Sequence, residues 1–302
     1  MNSRLTRFKR QLPLHVMLIP GVIIALIFCY VPMYGLVIAF QKFIPSRGLF
    51  GPQKWVGFGN FEYVFSLPDA WQVIGNTFTI AIGKVLGNLI VPILVALLLN
   101  EIHNSKAKRT IQTVVYFPYF ISWVVLGGIM IDILSPSTGM FGQLCKALGM
   151  KAPFLLGSNK YFQGTIIVSD IWRNFGFGTI VYLASITSID PCLYEAAEID
   201  GANRWQQTVH VTLPGMSMII VLMMVLSLGN VLNAGFEQIF NLYSPAVYET
   251  GDIIDTFVYR LGILNAQFGP STAMGLFKSV ISTTLISTAY FIAVKFFGYR
   301  LF

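Results

Sequence analysis

From Gln11 to Gln41 the chain carries no Asp, Glu, Lys or Arg, and from Trp205 to Phe236 it carries none again. A predominantly apolar stretch of about 20 residues is long enough to cross a bilayer. Inside hydrocarbon such a stretch must satisfy its backbone internally, so it folds as a helix. Only 11% of the 302 residues are charged and the mean hydropathy is +0.68, against about 25% charged in a soluble domain. The charges are swept out of long segments, so a bilayer and not an aqueous core sets the architecture. The net charge of +7 does not point to nucleic acid, because the basic residues sit mostly in short loops and at the termini, with no basic face interleaved with exposed aromatics. Cys29, Cys145 and Cys192 show no C-x-x-C pairing and read as isolated thiols, neither a metal set nor a disulfide framework.

Six segments meet or approach the length of a span: about Leu14–Phe40, Val73–Leu99, Ile111–Leu134, Thr165–Ile186, Met216–Ala234 and Phe277–Phe297. The pattern predicts an all-α integral membrane protein with both termini on one side. Arg4, Arg7, Lys9 and Arg10 precede the first span, Lys106, Lys108 and Arg109 crowd the loop after the second, and Arg300 follows the sixth. The opposite loops, about 41–72, 135–162 and 235–276, hold sparser basic residues, so the positive-inside rule makes both termini cytoplasmic. Residues 1–12 lack a separate apolar stretch with a small-residue cleavage site, and the first span is too long for a signal-peptide core, so it reads as retained. No tandem repeat or long linker is visible. The expectation is a single transmembrane domain over 1–302, with residues 1–13 a cytoplasmic segment and 188–215 a cytoplasmic loop.

That loop is the one long polar interlude with an ordered pattern. Asp190–Pro191 is a helix start, since Asp caps free N–H groups and Pro fits the first helical position. Leu193 to Asp200 then make about two turns, with Gly201 where a left-handed residue is wanted. Asn203 caps a second short helix, on which Trp205, Thr208, Val209 and Thr212 share a face. Leu213–Pro214 is expected to end that helix and turn the chain into the fifth span. Ala196 and Ala197 are small enough to let a partner's backbone approach, and Glu195 offers a charge-assisted hydrogen bond. A bare Glu-Ala-Ala tripeptide is equally at home in an ordinary interfacial helix pair. The fixed spacing to Gly201 and Leu213–Pro214, on the cytoplasmic side, favours docking.

The run Tyr194–Ala202 with Val211–Pro214 resembles the EAA loop of ABC-importer permeases, by which a membrane subunit docks on its ATPase. Tyr30–Gly35, Trp55–Phe61 and Gly235–Leu242 are similar to carbohydrate permeases of the maltose and oligosaccharide type, and more narrowly to their polysaccharide or complex-oligosaccharide branch. His210 and Val211 depart from the larger apolar residues frequent there. The resemblance implies a type I importer permease in a bacterial cell membrane. It would pair with a second, non-identical permease and two ATPase subunits, and receive carbohydrate from an extracytoplasmic solute-binding protein. It also assigns ATPase docking to Glu195, Ala196, Ala197, Gly201, Trp205, Leu213 and Pro214. ATP and Mg would sit on the ATPase, and no cofactor on this chain, which lacks a G-x-x-x-x-G-K-[ST] pattern.

Charged residues inside spans are costly and mark function by default. Lys84 lines a cavity or snorkels to an interface. Asp170 and Arg173, three apart, can pair on one face. Lys278 and Asp132 sit near span ends, where interfacial contacts are usual. Sugars are held by aromatic faces and hydrogen-bonding side chains, so Tyr116, Tyr119, Trp123, Trp172, Asn174, Asn230 and Asn233 join Lys84 as candidates for a substrate path. The segment Phe236–Tyr259, with Glu237, Glu249, Asp252 and Asp255, reads as a partly helical outer surface for the binding protein. Two other classes compete. An ion-coupled secondary transporter would need embedded acids and inverted repeats, and only Asp132 and Asp170 are available. An intramembrane enzyme would need a nucleophile–base pair or metal set, and neither H-E-x-x-H nor G-x-S-x-G occurs. Within the ABC class a non-sugar cargo remains open.

Overall fold

A computed structural model describes residues 2–228 and 232–297. The helices in chain order are α1 (Asn2–Ala25), α2 (Gly59–Ser66), α3 (Pro68–Asn100), α4 (Ser105–Tyr116), α5 (Trp123–Leu134), α6 (Met140–Ala147) and α7 (Asn159–Thr187). They continue as α8 (Pro191–Ile199), α9 (Arg204–Gln207), α10 (Leu213–Leu228), α11 (Phe236–Leu242), α12 (Tyr248–Gly251), α13 (Ile254–Tyr259) and α14 (Phe268–Phe297). The chain divides into two compact units, residues 1–67 with 258–276 and residues 68–257 with 277–302.

In the first unit α1 runs on through a π-helical turn, Leu26–Tyr30, and a 3₁₀ stretch, Val31–Phe40. Pro32 has no N–H to give the ladder, which is a reason for the helix to change pitch there. No described side chain from Leu14 to Tyr34 is buried, the condition of a helix whose covering is lipid. A two-stranded antiparallel ribbon follows, pairing Gln41 with Trp55 and Lys42 with Lys54. The Trp55–Phe61 run closes it: Gly57 takes φ +57°, and Asn60 Nδ2 donates to Ala39 O (2.8 Å) and Gln41 O (3.0 Å). Phe40 stacks on Trp55 at 5.7 Å.

The second unit is built on α3 against α7. Without water between them, membrane helices gain by close van der Waals packing, which small residues permit. Gly83 and Gly87, one turn apart on α3, do this: a Cβ on them would lie 2.6 and 2.0 Å from the Cδ1 atoms of Ile167 and Ile171, one turn apart on α7. Two apolar clusters flank this seam. One gathers Ile80, Phe162, Ile166, Ala234, Ile239 and Ile253; the other gathers Ala96, Tyr182, Ile186 and Met216.

Among the described residues, three helical stretches are long and apolar enough to cross a bilayer: Leu14–Phe40, Pro68–Asn100 and Arg204–Ser227. Two bent pairs bring the number to five if each is one span, Ser105–Phe120 with Trp123–Leu134 (103°) and Asn159–Thr187 with Pro191–Ile199 (68°). The sixth expected segment lies within α14. Two expectations are corrected. Ile111–Leu134 is not one straight helix but an elbow. Pro118 sits in a 3₁₀ turn, and Ser122 restarts the helix by accepting from Val125 N–H. Leu213–Pro214 does not end the second loop helix; α9, a π-turn (Thr208–Thr212) and α10 run on as one. Pro214 offers no N–H to the turn before it, and the wider π ring there, with Leu213 N–H reaching Thr208 O, absorbs the mismatch.

Candidate functional site

Two places in the second unit concentrate unusual chemistry. The first is the loop between α7 and α10. Asp190 Oδ1 accepts from Cys192 N–H at 2.9 Å, starting α8 as expected. Gly201 takes φ +79°, and Ala202 N–H to Ala197 O (2.9 Å) with Gly201 N–H to Glu198 O (3.0 Å) completes a Schellman ending. Asn203 and Gln206 then form a reciprocal capping box on α9. Tyr194 Oη meets Thr212 Oγ1 at 2.9 Å, fastening α8 to the π-turn, and Gly215 admits Ile189 against the start of α10.

This locally fixed loop leaves apolar side chains open. Leu193, Ile199 and Trp205 are 55, 87 and 74% exposed. Trp205 therefore does not share a covered face with Thr212, which is buried. Glu195, Ala196 and Gly201 are exposed, while Ala197 and Leu213 are half-buried and Pro214 is exposed. A polar cavity of about 270 Å³ opens beside it, lined by Asn100, Glu101, Tyr194, Glu195, Glu198 and Arg204 among others. Arg204 and Glu101 meet there at 3.9 Å, both well exposed, so the pair adds little stability.

The second place is a buried polar network where α3, α7 and α11 meet. Lys84, 6% exposed, gives its ammonium to Ala234 O (2.6 Å), Gln238 Oε1 and Asp170 Oδ1 (3.3 Å). Gln238 is fully buried, and its amide donates to Ile166 O and Ser169 Oγ, both at 2.8 Å. Asp170 Oδ2 accepts from Asn88 (2.9 Å) and Asn174 (3.1 Å). Lys84 and Asp170 are thus paired inside the bundle, as hydrocarbon favours. Gly235, at φ +90°, opens α11 so close to Lys84 that a Cβ would stand 2.7 Å from Nζ.

The expected Asp170–Arg173 pair is not formed. Arg173 turns to the α4–α5 elbow, where Nε and Nη2 donate to Ile121 O at 3.1 and 3.0 Å. That carbonyl is free because the helix is broken there. The guanidinium also lies 5.6 Å from the Tyr119 ring centre and 5.0 Å from that of Trp123, and Tyr119 stacks on Phe177 at 4.2 Å. Asn174 joins the two charges indirectly, donating to Asp170 and accepting from Arg173 Nη1 at 3.2 Å. The network therefore brings together Lys84, Tyr119, Trp123 and Asn174. Trp172, 47% exposed, points elsewhere, into an apolar cavity of about 600 Å³ between α5 and α7. Asn233 is exposed, Tyr116 ends α4 half-buried, and Asn230 lies outside the described residues. Asn88, Ser169 and Gln238 were not singled out from the sequence. An uncharged polar residue amid apolar neighbours, as in Phe236–Leu242, was the available signal.

The segment after α10 is helical, as expected, but much of it is built in. Asp252 is 2% exposed, Asn76 Nδ2 donates to Glu249 O (3.0 Å) and Asp252 O (3.2 Å), and Lys278 pairs with Asp255. Among its acids only Glu237 and Glu249 are exposed, and Glu249 Oε2 accepts from Asn159 at 2.9 Å.

An apolar helical bundle, a capped loop with an uncovered apolar face and a largely buried charge network between long apolar helices define a membrane protein of transport type. The chain belongs to the family described as binding-protein-dependent transport system inner membrane component, whose pattern matches residues 92–300. It is 38% identical to Protein LplB of Bacillus subtilis over 97% of this chain and 92% of that one. To the polygalacturonan/rhamnogalacturonan transport system permease protein YteP of the same organism it is also 38% identical, over 97% and 91%. Among solved structures it superposes on a chain of a bacterial ABC transporter that imports the acidic polysaccharide alginate, with a TM-score of 0.90 and 38% identity over 97% and 99% of the two chains. The same likeness holds for an alginate transporter solved with its pentasaccharide-bound periplasmic protein, at a TM-score of 0.87 over 95% and 96%. Within its family the chain is an ABC-transporter permease of the carbohydrate type.

Proposed function

We propose that this chain is one permease subunit of an ATP-driven importer for oligosaccharides or polysaccharide fragments, lining half of the translocation path. A single permease domain crosses the bacterial cell membrane six times, with both termini cytoplasmic. A second, non-identical permease completes the path, and an extracytoplasmic solute-binding protein delivers the carbohydrate. Two ATPase subunits, which hold the ATP and Mg, dock on α8 and α9 through Glu195, Ala196, Ala197, Gly201 and Trp205. Leu213 and Pro214 carry the push into α10. Tyr119, Trp123, Trp172, Asn174, Asn230 and Asn233 stand along the sugar's route.

The observation that carries this reading is the α8–α9 loop: its backbone is fixed by its caps, yet Leu193, Ile199 and Trp205 face outward uncovered. A rigid apolar face with no protein against it is built for a partner. Its test is oligosaccharide uptake by cells carrying Glu195→Ala with Gly201→Asp. The variant is expected in the membrane at normal amount, with uptake down at least about tenfold, the usual scale for an interface anchor. ATP hydrolysis by the assembled complex should persist without it. Normal uptake would contradict the docking assignment.

A further inference from the structure

The charge count of the buried network does not close. Lys84, Asp170 and Arg173 lie together, two cations with one carboxylate. Lys84 and Asp170 neutralise each other at 3.3 Å. Arg173 has no carboxylate partner among the described residues. Three of its N–H groups are used, two on Ile121 O and one on Asn174 Oδ1, and guanidinium carries five. It is only half-buried, and the rings of Tyr119 and Trp123 lie against it.

Opposite charges three residues apart on a helix ordinarily find one another. Here the carboxylate is already engaged. Lys84 holds Oδ1, and Asn88 and Asn174 hold Oδ2. Asn174 stands between the two charges with its amide turned so that its oxygen, not its nitrogen, meets Arg173. Without Lys84, Asp170 would be a buried anion one turn from an under-used guanidinium, and burial makes an unpaired charge costly enough to draw them together.

We propose that Lys84 is a positioning residue whose task is to keep Asp170 occupied, so that Arg173 stays a net cation that selects saccharides bearing carboxylates. A uronate suits it, because its carboxylate takes the spare N–H groups of the guanidinium fork. The proposal rests on the carbohydrate-import reading above and adds the charge class of the cargo.

The test compares uptake of trigalacturonate and of its neutral methyl ester in native cells, with only this chain altered and the binding protein and ATPase unchanged. Wild type should favour the acid. Arg173→Gln should lower the acid-to-ester ratio at least about tenfold, the scale of a lost charge-assisted hydrogen bond. Lys84→Met should lower it similarly, because Asp170 then quenches Arg173, and adding Arg173→Gln should lower it no further. Lys84→Met with Asp170→Asn should restore the ratio to within about twofold of wild type, since no anion remains to quench Arg173. A purely structural role would depress both sugars together and leave the ratio alone. If Lys84→Met fails to reach the membrane, the double variant and Arg173→Gln still decide the matter. A double variant as unselective as Arg173→Gln, or a wild type that prefers the ester, would overturn the proposal. Uptake of neither sugar and of no maltooligosaccharide would instead contradict carbohydrate import itself, and this proposal with it.

Discussion

Gly176 sits where no side chain fits. A Cβ there would lie 2.2 Å from Val115 O and 2.7 Å from its carbon, both backbone atoms that cannot swing aside. This close approach of α7 to the end of α4 brings Arg173, nearly one turn before Gly176, within reach of Ile121 O. Gly176→Ala is therefore expected to spread the elbow and cost about 1–3 kcal/mol, as overpacking does. In detergent that is a fall in Tm of several degrees. An unchanged melting point would mean that α4 and α7 do not meet as described. Gly201 makes the opposite case: its φ is +79°, yet nothing lies within 4 Å of its Cβ position. A substitution there meets no clash and strains only the local backbone, so Gly201→Asp perturbs the docking loop and leaves the packing between spans alone.

At the scale of elements, the α3–α7 seam is a ridge of two isoleucines seated over two glycines. Gly87→Leu would drive α7 away from α3 and pull Asp170 off Lys84. We expect a loss of about 1–3 kcal/mol, read as a lower Tm, together with faster proteolysis of α11, whose Gln238 depends on both helices. A Tm equal to wild type would refute the seam. Much at this scale was legible beforehand. Asp190–Pro191, Gly201 and Asn203 act locally, on hydrogen bonds within a turn or two, and each does in the structure what its type suggests. What was not legible depended on partners distant in sequence. Periodicity shows that Ile111–Leu134 is apolar but not that it bends by 103°, since Pro118 acts only with the elbow packed on α7. Leu213–Pro214 read as a stop because the compensating π-turn leaves no mark in the sequence. Asp170 and Arg173 read as a pair because Lys84, 86 residues before Asp170, was free to snorkel until the fold placed it against Asp170. The outer segment read as a partly helical surface for the binding protein, with no sign that Asn76 and Gln163, from two other helices, bind its backbone.

On the scale of the whole molecule, apolar side chains stay uncovered along many of the described helices, and two of these surfaces differ in what borders them. The helix from Leu14 to Phe40 has no covering from Leu14 to Tyr34 and matches lipid in length and chemistry. The α8–α9 face has polar and charged neighbours, Glu195, Glu198 and Arg204 among them, and matches protein. In the proposed importer that face is where the ATPase docks. The measurement that tests this most directly is purification of the intact chain from its native membrane in mild detergent, as wild type and as Trp205→Ala. Trp205 is 74% exposed, so its truncation should leave folding and insertion unchanged. The account predicts that wild type brings down a second permease and a soluble ATPase, and that Trp205→Ala keeps the permease while losing most of the ATPase. A wild-type chain recovered alone, or ATPase retained undiminished by Trp205→Ala, would contradict it.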